Sequence, residues 1–127
     1  MKTRYRGGDY QATVEGVDRL LAVSHGAESL RDELYFYQAN SFYHLGQYKR
    51  SVDVLRDGLG RKKHPEILNN LGVLLYKLGK TAEGQRRIQE ALDVRPGYLD
   101  ATFNLEFARL NAPNAIELKL TNGFIRS

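Results

Sequence analysis

The 127-residue chain contains no cysteine. That excludes disulfides, thiolate nucleophiles and cysteine metal sites, and it leaves the redox compartment open. No apolar run approaches the ~20 residues needed to span a bilayer. The basic N-terminus, Met1-Lys2-Thr3-Arg4-Tyr5-Arg6, lacks the apolar stretch of a secretory signal. No HExxH, Walker-type loop or GxSxG motif is present, and Gly7-Gly8 reads as a turn rather than a phosphate cradle. His25, His44 and His64 lie in different elements with no helical ligand spacing. Acidic neighbours such as Asp32 and Glu33 are consecutive, so they diverge on a helix and make a poor acid–base couple. The sequence therefore predicts no catalytic residue, no metal site and no cofactor.

Hydrophobic residues make up 42% of the chain and charged residues 27%, enough for one domain with a real core. The net charge of +4 steers weakly towards acidic partners. It falls short of the concentrated basic stripe of a nucleic-acid binder. Arg61-Lys62-Lys63-His64 is the densest basic run; it reads first as cations closing the C-terminal end of a helix, where the dipole favours them, and otherwise as a binding patch for an anionic partner.

The stretch from Pro65 to Tyr98, 34 residues, reads as two antiparallel helices. Leu68, Leu71 and Leu75 make one apolar stripe, and Ile88, Ala91 and Leu92 make another. Pro65 suits a first helical turn, Leu78-Gly79-Lys80 makes the turn between helices, and Pro96-Gly97 ends the second. Gly72 and Gly84 fit a close crossing, where a side chain would push the helices apart. Length and pattern together resemble the tetratricopeptide repeat (TPR). Two positions depart mildly from that pattern: Leu68 replaces the usual aromatic, and Gly84 the usual Ala.

Gly8-Asp9-Tyr10 and Gly46-Gln47-Tyr48 repeat the turn at Gly79-Lys80-Thr81. Helices are expected at about 9–23, 30–44, 47–60, 65–77, 81–94 and 99–110, within a helical domain at 1–114. The first of them would be a second helix without its partner, so the chain is expected to begin inside a repeat. In the last, Glu106 takes the crossing slot and Arg109 a slot normally large and apolar, which reads as a cap with a polar outer face. Asp100 to Glu106 also resembles the last repeat of bacterial aerotolerance-type TPR proteins. The fold class expected is all-α, a right-handed solenoid of helix pairs, with a non-helical tail at 115–127 that is extended or hairpin-like. In that tail Ile116, Leu118 and Leu120 alternate with Glu117, Lys119 and Thr121, and Asn122-Gly123 is a hairpin-turn signal. A lone hairpin this short is marginal in water, so the tail needs a surface.

The resemblance implies a protein-interaction module without catalysis, a scaffold or adaptor whose first helices line a concave groove for a peptide or helix. By that resemblance, the groove positions include Phe36, Tyr37, Asn40 and Tyr43, then Asn69, Asn70, Val73, Tyr76 and Lys77, then Phe103, Asn104 and Phe107. Asn40, Asn69, Asn70 and Asn104 form a ladder of amides, each able to donate to and accept from an extended backbone at once. The aromatics offer large contact area at low entropy cost. The basic residues of a carboxylate clamp are missing, since Phe36, Asp100 and Asn104 occupy their places. An alternative is self-assembly through Val17 and Leu21 of the unpartnered first helix and Leu118, Leu120, Phe124 and Ile125 of the tail. Nucleic-acid binding ranks below both. The compartment is open: the cytoplasm is favoured, with the periplasm or a membrane tether for a piece of a longer protein.

Overall fold

The computed structural model describes residues 8–23, 28–59, 62–109 and 118–124. Among these are six α-helices and no strand. They are α1 (Tyr10–Val23), α2 (Glu28–His44), α3 (Tyr48–Asp57), α4 (Pro65–Lys77), α5 (Thr81–Val94) and α6 (Leu99–Arg109). The chain forms two compact units, residues 1–60 and 61–127. None of the described helices is long and apolar enough to cross a membrane.

In the first unit α2 packs against both α1 and α3. Asp9 caps α1, its carboxylate accepting from the Ala12 N–H at 3.1 Å. Val14 and Val17 of α1 are buried, and Gln38 of α2 ties the two helices by donating to the Val14 carbonyl at 3.2 Å. Across the other contact, Ser51 of α3 donates to the Ala39 carbonyl at 2.6 Å, so a small polar residue satisfies itself at a close crossing. α3 ends at Asp57, not near Gly60. Lys62, Lys63 and His64 consequently lie beyond its last turn, and the helix-dipole explanation of that basic run does not apply to them.

The second unit is built on α4, in which every residue from Pro65 to Leu75 is buried. A helix apolar on one stripe only would not bury on all sides. α4 does so because α5 and α6 both pack on it, and its polar face is covered as well. Leu68, Leu71, Leu74 and Leu75 have no exposed surface, nor have Ile88 and Ala91 opposite them on α5. Full burial of such a side chain is worth about 1.5–3 kcal/mol. The α4–α5 crossing is tight: a Cβ added to Gly72 would lie 2.8 Å from the Gly84 carbonyl oxygen and 2.5 Å from Ile88 Cγ1.

The turns repeat at the level of individual hydrogen bonds. Gly46 and Gly79 have φ of +77° and +81°, in the left-handed region that glycine alone enters without cost. After α2 the Gln47 N–H reaches back to the Phe42 carbonyl, and after α4 the Lys80 N–H reaches the Leu75 carbonyl, both at 2.8 Å. This is the same helix-ending motif in two units.

Candidate peptide-binding site

α4 carries three buried polar residues on one side, Glu66, Asn69 and Asn70, each without exposed surface. Buried amides need partners. Asn70 finds them in the tail: its Nδ2 donates to the Thr121 carbonyl at 2.8 Å, and its Oδ1 accepts from the Thr121 N–H at 2.8 Å. Asn104 of α6, also fully buried, treats Lys119 the same way. It donates to the Lys119 carbonyl at 2.9 Å and accepts from the Lys119 N–H at 2.5 Å. Asn69 links the two, accepting from Asn104 Nδ2 at 2.8 Å and donating to the Lys119 carbonyl at 3.1 Å. Two alternate residues of one segment are thus held by both of their backbone groups.

Side chains of the tail are held too. The Thr121 hydroxyl donates to Asp100 Oδ2 at 2.6 Å, lies 3.3 Å from Asn69 Nδ2, and shares a short hydrogen bond with the Tyr98 hydroxyl. Phe124 is buried, its ring 4.8 Å from the His64 ring. Leu118 is buried as well, whereas Lys119, Asn122 and Gly123 face solvent. Burial pushes the Tyr98 phenol well above its ordinary value of 10.0, with the charges of Asp100 and Glu66 adding to the rise. Arg95 stands between these groups, 3.6 Å from Glu66 and with its guanidinium 5.5 Å from the centre of the Tyr98 ring.

The other positions assigned to a groove by register separate into two groups. Phe36, Tyr37, Asn40 and Val73 are buried, the two aromatics edge to face at 5.3 Å. Tyr43, Tyr76, Lys77 and Phe107 are half-buried, and Phe103 is 48% exposed. Tyr76 lies over Gly84, where an added Cβ would meet its ring at 2.7 Å. Burial raises the Tyr43 and Tyr76 phenols and lowers the Lys77 ammonium. Phe103 and Phe107 stack on each other at 6.0 Å.

The residues that would serve self-association are covered to different degrees. Val17 has no exposed surface, Leu21 is half-buried, and Leu118 and Phe124 are already buried in their own chain. Leu120 is half-buried, and Ile125 lies outside the described residues. Residues 118–124 form no hairpin. Gly123 is absent from the glycines with positive φ, which the expected Asn-Gly turn needs. The two-residue alternation fails because Thr121 turns inward with Leu118 and Phe124, a spacing of three set by the hydroxyl's partners.

No family model matches the chain. Its helices superpose on a crystal structure of the C-terminal part of a TPR repeat-containing protein from Cytophaga hutchinsonii. The TM-score is 0.72 at 18% identity, over 92% of this chain and 46% of that one. The fold is a tetratricopeptide-repeat fold. The chain is also similar to the photosystem I assembly protein Ycf3 of Synechococcus sp. (strain CC9311), 26% identical over 119 residues. The match takes in 88% of this chain but 64% of that relative, so this chain spans about two-thirds of its length. Within the tetratricopeptide fold, register points to Asn69, Asn70 and Asn104 but not to His64, Tyr98 or Thr121. His64 sat in a basic run, Tyr98 closed a repeat, and Thr121 looked like the solvent side of a strand. The only usable signal was the tail's need for a surface.

Proposed function

We propose that this chain is a non-catalytic adaptor whose second unit captures an extended segment of a partner protein by its backbone. One observation carries this: Asn70 and Asn104 each pair with the N–H and the C=O of alternate residues in an extended segment. That geometry grips the backbone of an extended peptide in the way a sheet edge grips an added strand. The chain's own tail fills the role here and so serves as an internal stand-in for the partner. Similarity to a protein named for photosystem assembly supports an assembly-type adaptor role. The tail is also a competitor, because a tethered segment has an effective concentration of about millimolar.

The test uses a fluorescein-labelled peptide of residues 115–127 and the full chain carrying Leu118→Asp with Phe124→Asp, which empties the groove. The peptide is expected to bind this variant, and to lose binding when Asn70→Ala and Asn104→Ala are added. Affinity unchanged by the two asparagine substitutions would refute the proposal.

A second reading follows from the same contact. A tail that fits its own groove fits that of another copy, so exchange of tails would link molecules. Light scattering coupled to size exclusion checks it. A concentration-dependent dimer lost on Asn70→Ala supports exchange, and a monomer at all concentrations removes it.

A further inference from the structure

We infer that the groove reads a side chain as well as a backbone: it selects a partner segment with a hydroxyl residue flanked by apolar residues three positions before and three after. The inference rests on the peptide-capture reading above and specifies its ligand. A hydroxyl has one hydrogen to give and two lone pairs to receive. The Thr121 hydroxyl uses all three, giving its hydrogen to Asp100 Oδ2 and receiving from Tyr98 and Asn69 Nδ2. These partners come from α4, from α6 and from the residue just before α6, so the pocket is assembled by the fold and not by the tail. Asn69 has no exposed surface and Tyr98 has only 9%. Without a hydroxyl in place, the Asp100 carboxylate and the Tyr98 phenol would each lose a partner inside the groove, whereas Asn69 Nδ2 would keep Asn70 Oδ1 and the Lys119 carbonyl. Sites that bind a hydroxyl this way reject the isostere lacking it, because their polar groups are left unpaired.

The flanking positions have their own seats. Leu118, three residues before, is 5% exposed, and Phe124, three residues after, is 8% exposed against the His64 ring. Between them Lys119, Asn122 and Gly123 are exposed, and the Lys119 ammonium lies 4.0 Å from Asp100 Oδ1. The partner chemistry is therefore an extended protein segment with Thr or Ser at its centre, Leu or a similar residue three positions before it, and Phe or a similar residue three positions after. A phosphate on that hydroxyl would be excluded, since it would set two negative groups against each other at Asp100 and exceed the space.

The experiment reads the same preference in trans and in cis. In trans, the labelled 115–127 peptide and versions with Ser or Val at the position of Thr121 are titrated into the full-length Leu118→Asp, Phe124→Asp variant. Val is expected to weaken binding on the order of 10- to 100-fold, and Ser by less than about threefold. In cis, which does not require that variant to fold, amide exchange of residues 119 and 121 is followed by NMR in the unaltered chain and in Thr121→Ser, Thr121→Val and Asn70→Ala. Thr121→Val is expected to speed both amides by a similar factor, with Thr121→Ser close to the unaltered chain. If Val equals Thr in either format while Asn70→Ala still releases the segment, the groove reads backbone alone and the hydroxyl inference falls. If Asn70→Ala releases nothing either, the peptide-capture reading falls with it.

Discussion

Asn70 and Thr121 are 51 residues apart in sequence and joined by a pair of 2.8 Å hydrogen bonds, one in each direction. The arrangement copies the exchange between two residues of a β-ladder, with a side-chain amide in place of one strand. It places the recognition element on a helix buried from Pro65 to Leu75 and packed against two others. Asn104 repeats the device on Lys119, and the bond from Asn104 to Asn69 braces both.

Protease access to the tail should depend on Asn104. Lys119 is exposed as a side chain and attractive to trypsin, but both of its backbone groups are held, and cleavage requires their release. Asn104→Ala is expected to speed cleavage after Lys119 by on the order of 10-fold or more, at about 1–3 kcal/mol of lost docking. Mass spectrometry of timed digests at low trypsin concentration measures it, with cleavage after Lys80 as the internal reference.

The α4–α5 crossing should tolerate no methyl group. Gly72→Ala would drive its Cβ to 2.8 Å from a backbone oxygen that cannot swing aside. The expected cost is about 1–3 kcal/mol, read as a lower urea midpoint with an unchanged slope. Gly84→Ala restores the residue usual at its slot in the repeat, yet it too should destabilise, because its Cβ would meet the Gly72 oxygen at 2.9 Å.

The helices were legible because their signals are local. Three glycine-led turns, an apolar stripe at Leu68, Leu71 and Leu75, and Pro65 at a helix start each act within a few residues. Register alone put Asn69, Asn70 and Asn104 on a shared side. It also put Phe36, Tyr37 and Val73 there, and all three are buried, because register assigns a direction without saying what covers it. Thr121 was read as the polar side of a strand. Its burial is decided by Asp100, Tyr98 and Asn69, which are 21 to 52 residues away and invisible to any periodicity.

Arg95 should matter through Glu66. Glu66 is fully buried and the guanidinium lies 3.6 Å away, with the Arg95 side chain one-third exposed. Arg95→Met removes a cation 3.6 Å from a buried carboxylate. The expected loss is about 1–3 kcal/mol, less than the 3–5 of a fully buried pair because water reaches the arginine. Glu66→Gln in the same chain should return most of it, since the amide carries no charge. A double-mutant cycle from urea unfolding gives the coupling, and additive effects would deny that the two residues act together.

Alkaline pH should loosen the tail through Tyr98. Its phenol is raised above 10.0 by burial in the folded chain, so between that value and the higher folded one the native state holds a proton the unfolded chain has lost. Stability from this group is complete below about pH 10 and falls as pH rises further, with a limiting slope of about 1.4 kcal/mol per pH unit. Tyr43 and Tyr76 slope the same way, whereas Lys77, lowered from 10.5, slopes the other way. The decisive quantity is therefore the difference between the unaltered chain and Tyr98→Phe, in which those three contributions cancel. Tyr98→Phe is expected to be the less stable chain at pH 8, having lost the bond to Thr121, and to close that gap steadily as pH rises past 10. Urea midpoints at half-unit steps from pH 8 to 11 measure the convergence. A gap that stays constant over that range would mean the Tyr98 phenol titrates alike in the folded and unfolded chain, and that its burial does not hold the proton in place.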